Sequence, residues 1–251
     1  RDRDVTGVQT CALPISDGIL IIKKSSIADI KMLYFNSDGS RGEMCGNGIR
    51  CFAKYIYDNK IINKKEFTIE TLAGIKTALL NTNDNNEVKS VKVNMGYPIF
   101  ESSKIPVDID SDTVIMKKIV IDGEEWDFSS LLVGVPHTVI FCNDIKNINI
   151  NDIGPKIENH SIFPVKTNVN FVEIVDETHI NNYTWERGAG RTLACGTGCC
   201  ASVVVGHNLG MLDSTVKVTT EGGILTIELV DNEIYMSGAA VTICEGELKL
   251  K

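Results

Sequence analysis

The 251 residues carry 25 Lys and Arg against 33 Asp and Glu, and the formal net charge of −8 disfavours a nucleic-acid partner. Hydrophobic content of 43% and charged content of 23% are ordinary for a soluble globular chain. No apolar run approaches the roughly 20 residues of a transmembrane helix, and no cationic amphipathic stretch points to a membrane surface.

Residues 1–16 show no clear periodicity, and Arg1-Asp2-Arg3-Asp4 is followed by no apolar core of the kind a signal peptide needs. From Gly18 the pattern is β. Ile19–Ile22 and Ile30–Phe35 read as strands, and Asn36-Ser37-Asp38-Gly39-Ser40 as a turn cluster. Cys45–Asn59 reads as a helix, with Ile49, Phe52, Ala53 and Ile56 at helical spacing. Phe67–Thr71 and Ile75–Leu80 predict a hairpin about Ala73-Gly74, and an alternating strand follows at Val88–Met95. Gly96-Tyr97-Pro98 is the expected domain boundary. Beyond it, strands are expected around Val114–Val120, Leu131–Val139 and Thr167–Val175. A short helix is expected over Asp152–His160, with Pro155 in its first turn. Cys195–Leu209 is a second helix, closed by Asn208-Leu209-Gly210. Strands Val216–Thr220, Ile224–Val230, Glu233–Ser237 and Val241–Leu250 complete the chain.

Two stretches repeat. Cys45-Gly46-Asn47-Gly48 and Cys195-Gly196-Thr197-Gly198 share Cys-Gly-x-Gly at a helix start, 150 positions apart. Phe67-x-Ile69-x-Thr71-x-x-Gly74-Ile75-x-Thr77 returns 149 positions later as Val216-x-Val218-x-Thr220-x-x-Gly223-Ile224-x-Thr226. One Cys-Gly-x-Gly alone signals little beyond helix packing, whereas its recurrence in a matching context indicates a duplicated half. Glycines allow close approach to a ligand, and the first amides of a helix offer unpaired N–H groups to an anion. A cysteine there gains thiolate character. Two such half-sites facing one carboxylate-bearing ligand would suit removing a proton from one face of a carbon and returning one to the other, without a cofactor. Cys195-x-x-x-Cys199 also has zinc-ligand spacing, but no matching second pair completes four ligands, so no metal is expected. Of the eight cysteines, Cys45/Cys51 and Cys195/Cys199/Cys200 cluster and Cys11, Cys142 and Cys244 are scattered, with Cys199 and Cys200 adjacent, unlike a secreted disulfide scaffold; a reducing cytoplasm is the expected setting.

These motifs resemble the diaminopimelate epimerase family. Met44-Cys45-Gly46-Asn47-Gly48-x-Arg50-Cys51 and Glu186-Arg187-Gly188-Ala189-Gly190-x-Thr192-x-Ala194-Cys195-Gly196-Thr197-Gly198 carry the resemblance, over about residues 17–251. It implies an α+β fold of two pseudo-symmetric domains, each a curved, mostly antiparallel sheet or barrel around a central helix. The expected divisions are an unmatched segment 1–16, a first half 17–97, a second half 98–240, and a last strand 241–251 returning to the first half. The resemblance further implies epimerisation of L,L- to meso-diaminopimelate in lysine and peptidoglycan precursor synthesis. It implies no cofactor, a small amino-acid substrate and a homodimer. Cys45 and Cys195 take the catalytic positions, supported by His137 and Glu186, either of which could accept a proton. Asn36, Gly46, Asn47, Asn168, Glu186, Arg187, Gly196 and Thr197 take the substrate positions.

The chain departs from the family in three places. Val135 stands where Gly-Asn-Pro-His is common, and Arg191 where Glu is frequent. The family's opening strand and Gly-x-Gly-Asn-Asp-Phe loop are missing, and residues 1–16 resemble translated adaptor sequence instead. An inactive truncated copy is therefore one alternative, and a proline- or hydroxyproline-type racemase another. Asn47, where those relatives usually carry His, and Glu186-Arg187 speak against the racemase.

Overall fold

The computed structural model describes residues 18–36 and 39–246. Expectations placed on 1–17, on Ser37-Asp38 and on 247–251 lie outside the described residues. The fold is α+β and divides into two compact units: one runs to Val93 and resumes at Gly238, and the other spans Asn94–Ser237.

In the first unit, strands β1 (Gly18–Lys23), β2 (Ile30–Asn36), β3 (Arg41–Gly42), β4 (Glu66–Thr71), β5 (Gly74–Thr82) and β6 (Val88–Gly96) accompany helix α1 (Gly46–Asp58). Sheet order is β1-β2-β4-β5-β6, with β3 on β2. All described pairings are antiparallel except β2 with β4, which the α1 crossover makes parallel. Helix α1 forms because Ile49, Phe52, Ala53 and Ile56 make one apolar stripe, each at most 2% exposed. Cys45 starts it as N-cap, its Sγ accepting from Gly48 N–H at 3.2 Å. Asn59 stops it, bonding Tyr55 O through both backbone N–H and Nδ2 at 3.0 Å.

The second unit carries β7 (Val114–Ile121), β8 (Glu124–Val133), β9 (Val135–Phe141), α2 (Ile150–Glu158), β10 (Asn168–Asp176), β11 (His179–Glu186) and β12 (Gly190–Thr192). It continues through α3 (Gly196–Asn208), β13 (Thr215–Thr220), β14 (Gly223–Val230) and β15 (Glu233–Gly238). Its order is β15-β14-β13-β11-β10-β9-β8-β7, with β12 on β11 and parallel pairings at β11–β13 and β9–β10. Helix α3 packs on β8, β9, β10, β11 and β14. Buried nearly all round from Gly198 to Gly206, it tolerates Val203-Val204-Val205 because burial outweighs the modest cost of β-branching. Gly210 at φ +72° closes it, with Met211 N–H on Gly206 O at 2.9 Å.

The sequence repeat is a repeat of topology. The antiparallel pair β1–β2, the short β3, the cysteine, α1 and the parallel strand β4 recur as β10–β11, β12, Cys195, α3 and β13. The register recurs too: Leu20 faces Tyr34 as Asn170 faces Thr184, and Ile30 faces Ile69 as Ile180 faces Val218. In both copies the tip of the following hairpin bonds the backbone two residues before the cysteine. Ala73 N–H meets Glu43 O at 3.2 Å, and Gly222 N–H meets Leu193 O at 2.7 Å.

Three expectations are corrected. The stretch Leu131–Val139 is two antiparallel strands, not one, because Gly134 at φ +71° turns the chain so that Val133 faces Val135. Helix α2 starts two residues early, at Ile150, which places Pro155 inside it rather than in its first turn. Residues 241–246 form no strand. Val241 and Ile243 are 74% and 56% exposed, and a β-branched run with no face to bury has nothing to hold it extended. Among the described residues no helix is long and apolar enough to cross a membrane.

Candidate active site

In the first unit, Cys45, Gly46 and Asn47 sit together at the start of α1, and Asn36 ends β2. Arg50, which sequence reasoning left among the motif letters, is 7% exposed and organises this corner. Its guanidinium donates to Gly46 O at 3.0 Å and to Asn47 Oδ1 at 3.1 Å, so a buried cation fixes the amide of Asn47. Asn36 bonds the turn that follows it, Nδ2 to Ser40 Oγ at 2.9 Å, as a turn asparagine does.

In the second unit, Cys195 is the N-cap of α3, and Gly196 and Thr197 are its first residues. Cys195 is 6% exposed, with Thr197 Oγ1 at 3.5 Å from its Sγ. Burial, and then the Glu186 carboxylate, push its thiol well above the ordinary range. Both act against the thiolate character that a helix start confers. Glu186, the last residue of β11, accepts from Thr192 Oγ1 at 2.6 Å, which brings β12 to its side.

Asn168 braces the signature turn. Its Oδ1 accepts from Arg187 N–H at 2.9 Å, and its Nδ2 donates to Pro136 O at 2.8 Å. Arg187 reaches Val165 O at 3.2 Å. A second brace escaped sequence reasoning. Glu158, 5% exposed at the end of α2, accepts from Trp185 Nε1 at 2.6 Å and from Gly188 N–H at 3.1 Å. The nearest signal is an acidic residue closing an amphipathic helix, which usually faces solvent. Gly154 lets the two elements touch, since a methyl there would meet the Trp185 side chain at 2.7 Å.

His137, in β9, is fully buried. Its Nδ1 lies 3.2 Å from Asn170 Nδ2, while its buried Nε2 has no hydrogen-bond partner among the described residues. Burial, and then Arg187, hold its pKa down at about 3, so the ring is neutral at physiological pH. Val135 lies at the mouth of the same strand, two residues from His137. Arg191 pairs with Glu221 across an exposed surface at 2.8 Å. Among the described residues no cluster of His, Cys, Asp and Glu could hold a metal ion.

The family model for diaminopimelate epimerase matches residues 9–101 and 129–243, opening at residue 9 within the segment the motifs leave unmatched. The diaminopimelate epimerase of Caldanaerobacter subterraneus subsp. tengcongensis is 49% identical over 236 residues, covering 94% of this chain and 86% of that one. That of Alkaliphilus metalliredigens is 46% identical over 232 residues, covering 92% and 82%. Among solved structures, a hydroxyproline epimerase from Agrobacterium vitis superposes with a TM-score of 0.67 at 16% identity, covering 88% of this chain and 71% of the other, a likeness of fold alone. A duplicated β–β–Cys–helix–β frame, both signature stretches and a family match over most of the chain agree: this chain belongs to the diaminopimelate epimerase family.

Proposed function

We propose that this enzyme interconverts L,L- and meso-diaminopimelate by a two-base reaction in which Cys45 and Cys195 exchange a proton at one α-carbon. The carrying observation is that each unit places a cysteine as N-cap of a helix in the same frame, with a Gly-x-Gly start behind it. A thiolate removes the α-proton, the electron pair moves into the carboxylate to give an enediolate-like species, and the opposing thiol protonates the other face. The raised pKa of Cys195 supports its being the thiol of the pair, which leaves Cys45 as the thiolate. The first amides of α1 and α3 are suited to the developing negative charge. Asn36, Asn47, Asn168, Glu186 and Arg187 are assigned to the two amino-acid ends of the substrate. Lysine and peptidoglycan precursor synthesis is the assigned role, in the cytoplasm and as a homodimer. A reducing compartment suits the chemistry, because a disulfide between two working sulfurs would silence both.

The test is turnover of L,L-diaminopimelate in deuterated water under reducing conditions, following meso product and α-deuterium. Cys45→Ala and Cys195→Ala are run alongside, with proline and hydroxyproline as competing substrates. Meso product that requires both sulfurs is expected, with each variant slowed by about 10³-fold or more. Turnover of proline but not diaminopimelate, or wild-type rates in either variant, would sink the assignment.

A further inference from the structure

A buried string of polar side chains runs beneath α3 and ends on His137. The Ser202 hydroxyl, shared with Gly198 O at 2.9 Å, lies 2.7 Å from Asn182 Oδ1. Asn182 Nδ2 donates to Thr184 Oγ1 at 3.1 Å, and Thr184 Oγ1 donates to Asn170 Oδ1 at 3.1 Å. Asn170 Nδ2 then lies 3.1 Å from Thr138 O and 3.2 Å from His137 Nδ1. Ser202, Asn182, Thr184, Asn170 and His137 are each at most 2% exposed.

The far end fixes the direction of the string. A carbonyl oxygen only accepts, so the Asn170 group facing Thr138 O is the NH2. Its other hydrogen points at His137 Nδ1, which must present a lone pair. A neutral imidazole that accepts at Nδ1 carries its hydrogen on Nε2. Nε2, buried and unpartnered among the described residues, is therefore a donor awaiting an acceptor.

The first unit shows that the fold does not need this string. The positions equivalent to Asn170, Asn182, Thr184 and Ser202 are Leu20, Met32, Tyr34 and Phe52, in matching register. Leu20, Met32 and Phe52 are core residues at 2–4% exposure. Burying polar groups in place of apolar ones rarely improves stability, so a role other than packing is indicated. In the second unit the string ends on the His137 imidazole.

We propose that Asn170 is a positioning residue for the epimerisation assigned above, holding His137 as the Nε2–H tautomer so that the ring acts as a hydrogen-bond donor and does not serve as a proton acceptor. The nearby Arg187 guanidinium opposes a positive charge on the ring. The proposal rests on the epimerase reading for its substrate, but not for its tautomer.

The experiment is proton-detected NMR of the full chain labelled with 15N-histidine. Of the four histidines, His160, His179 and His207 are identified by single His→Gln variants, leaving His137. The expected spectrum has Nδ1 unprotonated and Nε2 protonated, unchanged across the pH range in which the protein is folded. A proton on Nδ1 would overturn the proposal. Asn170→Asp replaces the donor by an acceptor. It should move the proton to Nδ1 and lower kcat on L,L-diaminopimelate by about 10²-fold or more, with KM changed by less than about threefold. A shifted tautomer with wild-type kcat refutes the positioning role. If Asn170→Asp does not fold, Asn170→Ser takes its place. Mixed tautomers with lowered kcat support the proposal, and a pure Nε2–H ring with wild-type kcat refutes it. Absence of wild-type turnover counts against the epimerase reading alone, because the ring spectrum needs no substrate.

Discussion

The two cysteine corners are near copies until the cysteine itself. Residues 41–50 and 191–200 follow the same order of exposed, half-buried and buried positions, and differ only in that Cys45 is half-buried where Cys195 is buried. Behind them the difference widens. The first corner rests on an apolar core of Leu20, Met32 and Phe52, and the second on the polar string from Ser202 to His137. The backbone frame was duplicated faithfully, while the material beneath each sulfur was not. In the proposed two-base reaction, such a difference would bias which sulfur holds the proton.

The comparison can be broken at its base first. Phe52→Ala should cost about 3–5 kcal/mol of stability, as for any large core side chain. Ser202→Ala, at the equivalent place, should cost about 1–2 kcal/mol, the price of one buried hydrogen bond. Urea unfolding of the two variants measures both, and equal losses would mean that the second corner is packed like the first.

Acid exposes the second asymmetry. His137 has a folded pKa near 3 against about 6.5 when unfolded, so above pH 6.5 it is neutral in both states and costs nothing. As pH falls from about 6.5 towards 3, the unfolded chain takes up the proton first, and stability should fall by up to about 1.4 kcal/mol per pH unit. Calorimetry across that window, with His137→Gln as reference, checks the slope. A wild-type slope no steeper than the variant's would refute it.

The helix starts provide a finer test. A methyl at Gly198 would run into Asn170 Oδ1, whereas at Gly48 it would sit 3.1 Å from Cys45 Sγ and 3.3 Å from Leu20 Cδ1. Gly198→Ala should therefore lose about 1–3 kcal/mol and Gly48→Ala less, by thermal unfolding. The smallest effect is in reactivity. Cys45 should react with iodoacetamide at least about tenfold faster than Cys195, read by peptide mass mapping, because Cys195 is buried and its proton tightly held.

Much of this was legible in the letters. Period-3.6 apolar spacing locates α1, Cys-Gly-x-Gly marks both helix starts, and Asn208-Leu209-Gly210 marks the end of α3. What escaped was the inward-facing polar set. In β11, alternation puts Ile180, Asn182 and Thr184 on one side and Asn181 and Tyr183 on the other, so hydropathy alone does not say which face is buried. Only the partners Asn170 and Ser202, brought from other elements, make that face an interior one. Arg50 and Glu158 escaped for a related reason: a charged letter reads as surface until its buried partners are known. The burial of Cys195 is likewise a fact of packing.

The bonds that tie each hairpin tip to the loop before its cysteine, Ala73 to Glu43 and Gly222 to Leu193, run between main-chain atoms only. Such a latch is blind to side chains: the two copies have drifted from Glu to Leu on one side and from Ala to Gly on the other without letting go. Side chains at positions 43, 73 and 193 can therefore be exchanged for probes or tethers without removing a bond of the latch, beside a sulfur whose backbone stays where it is.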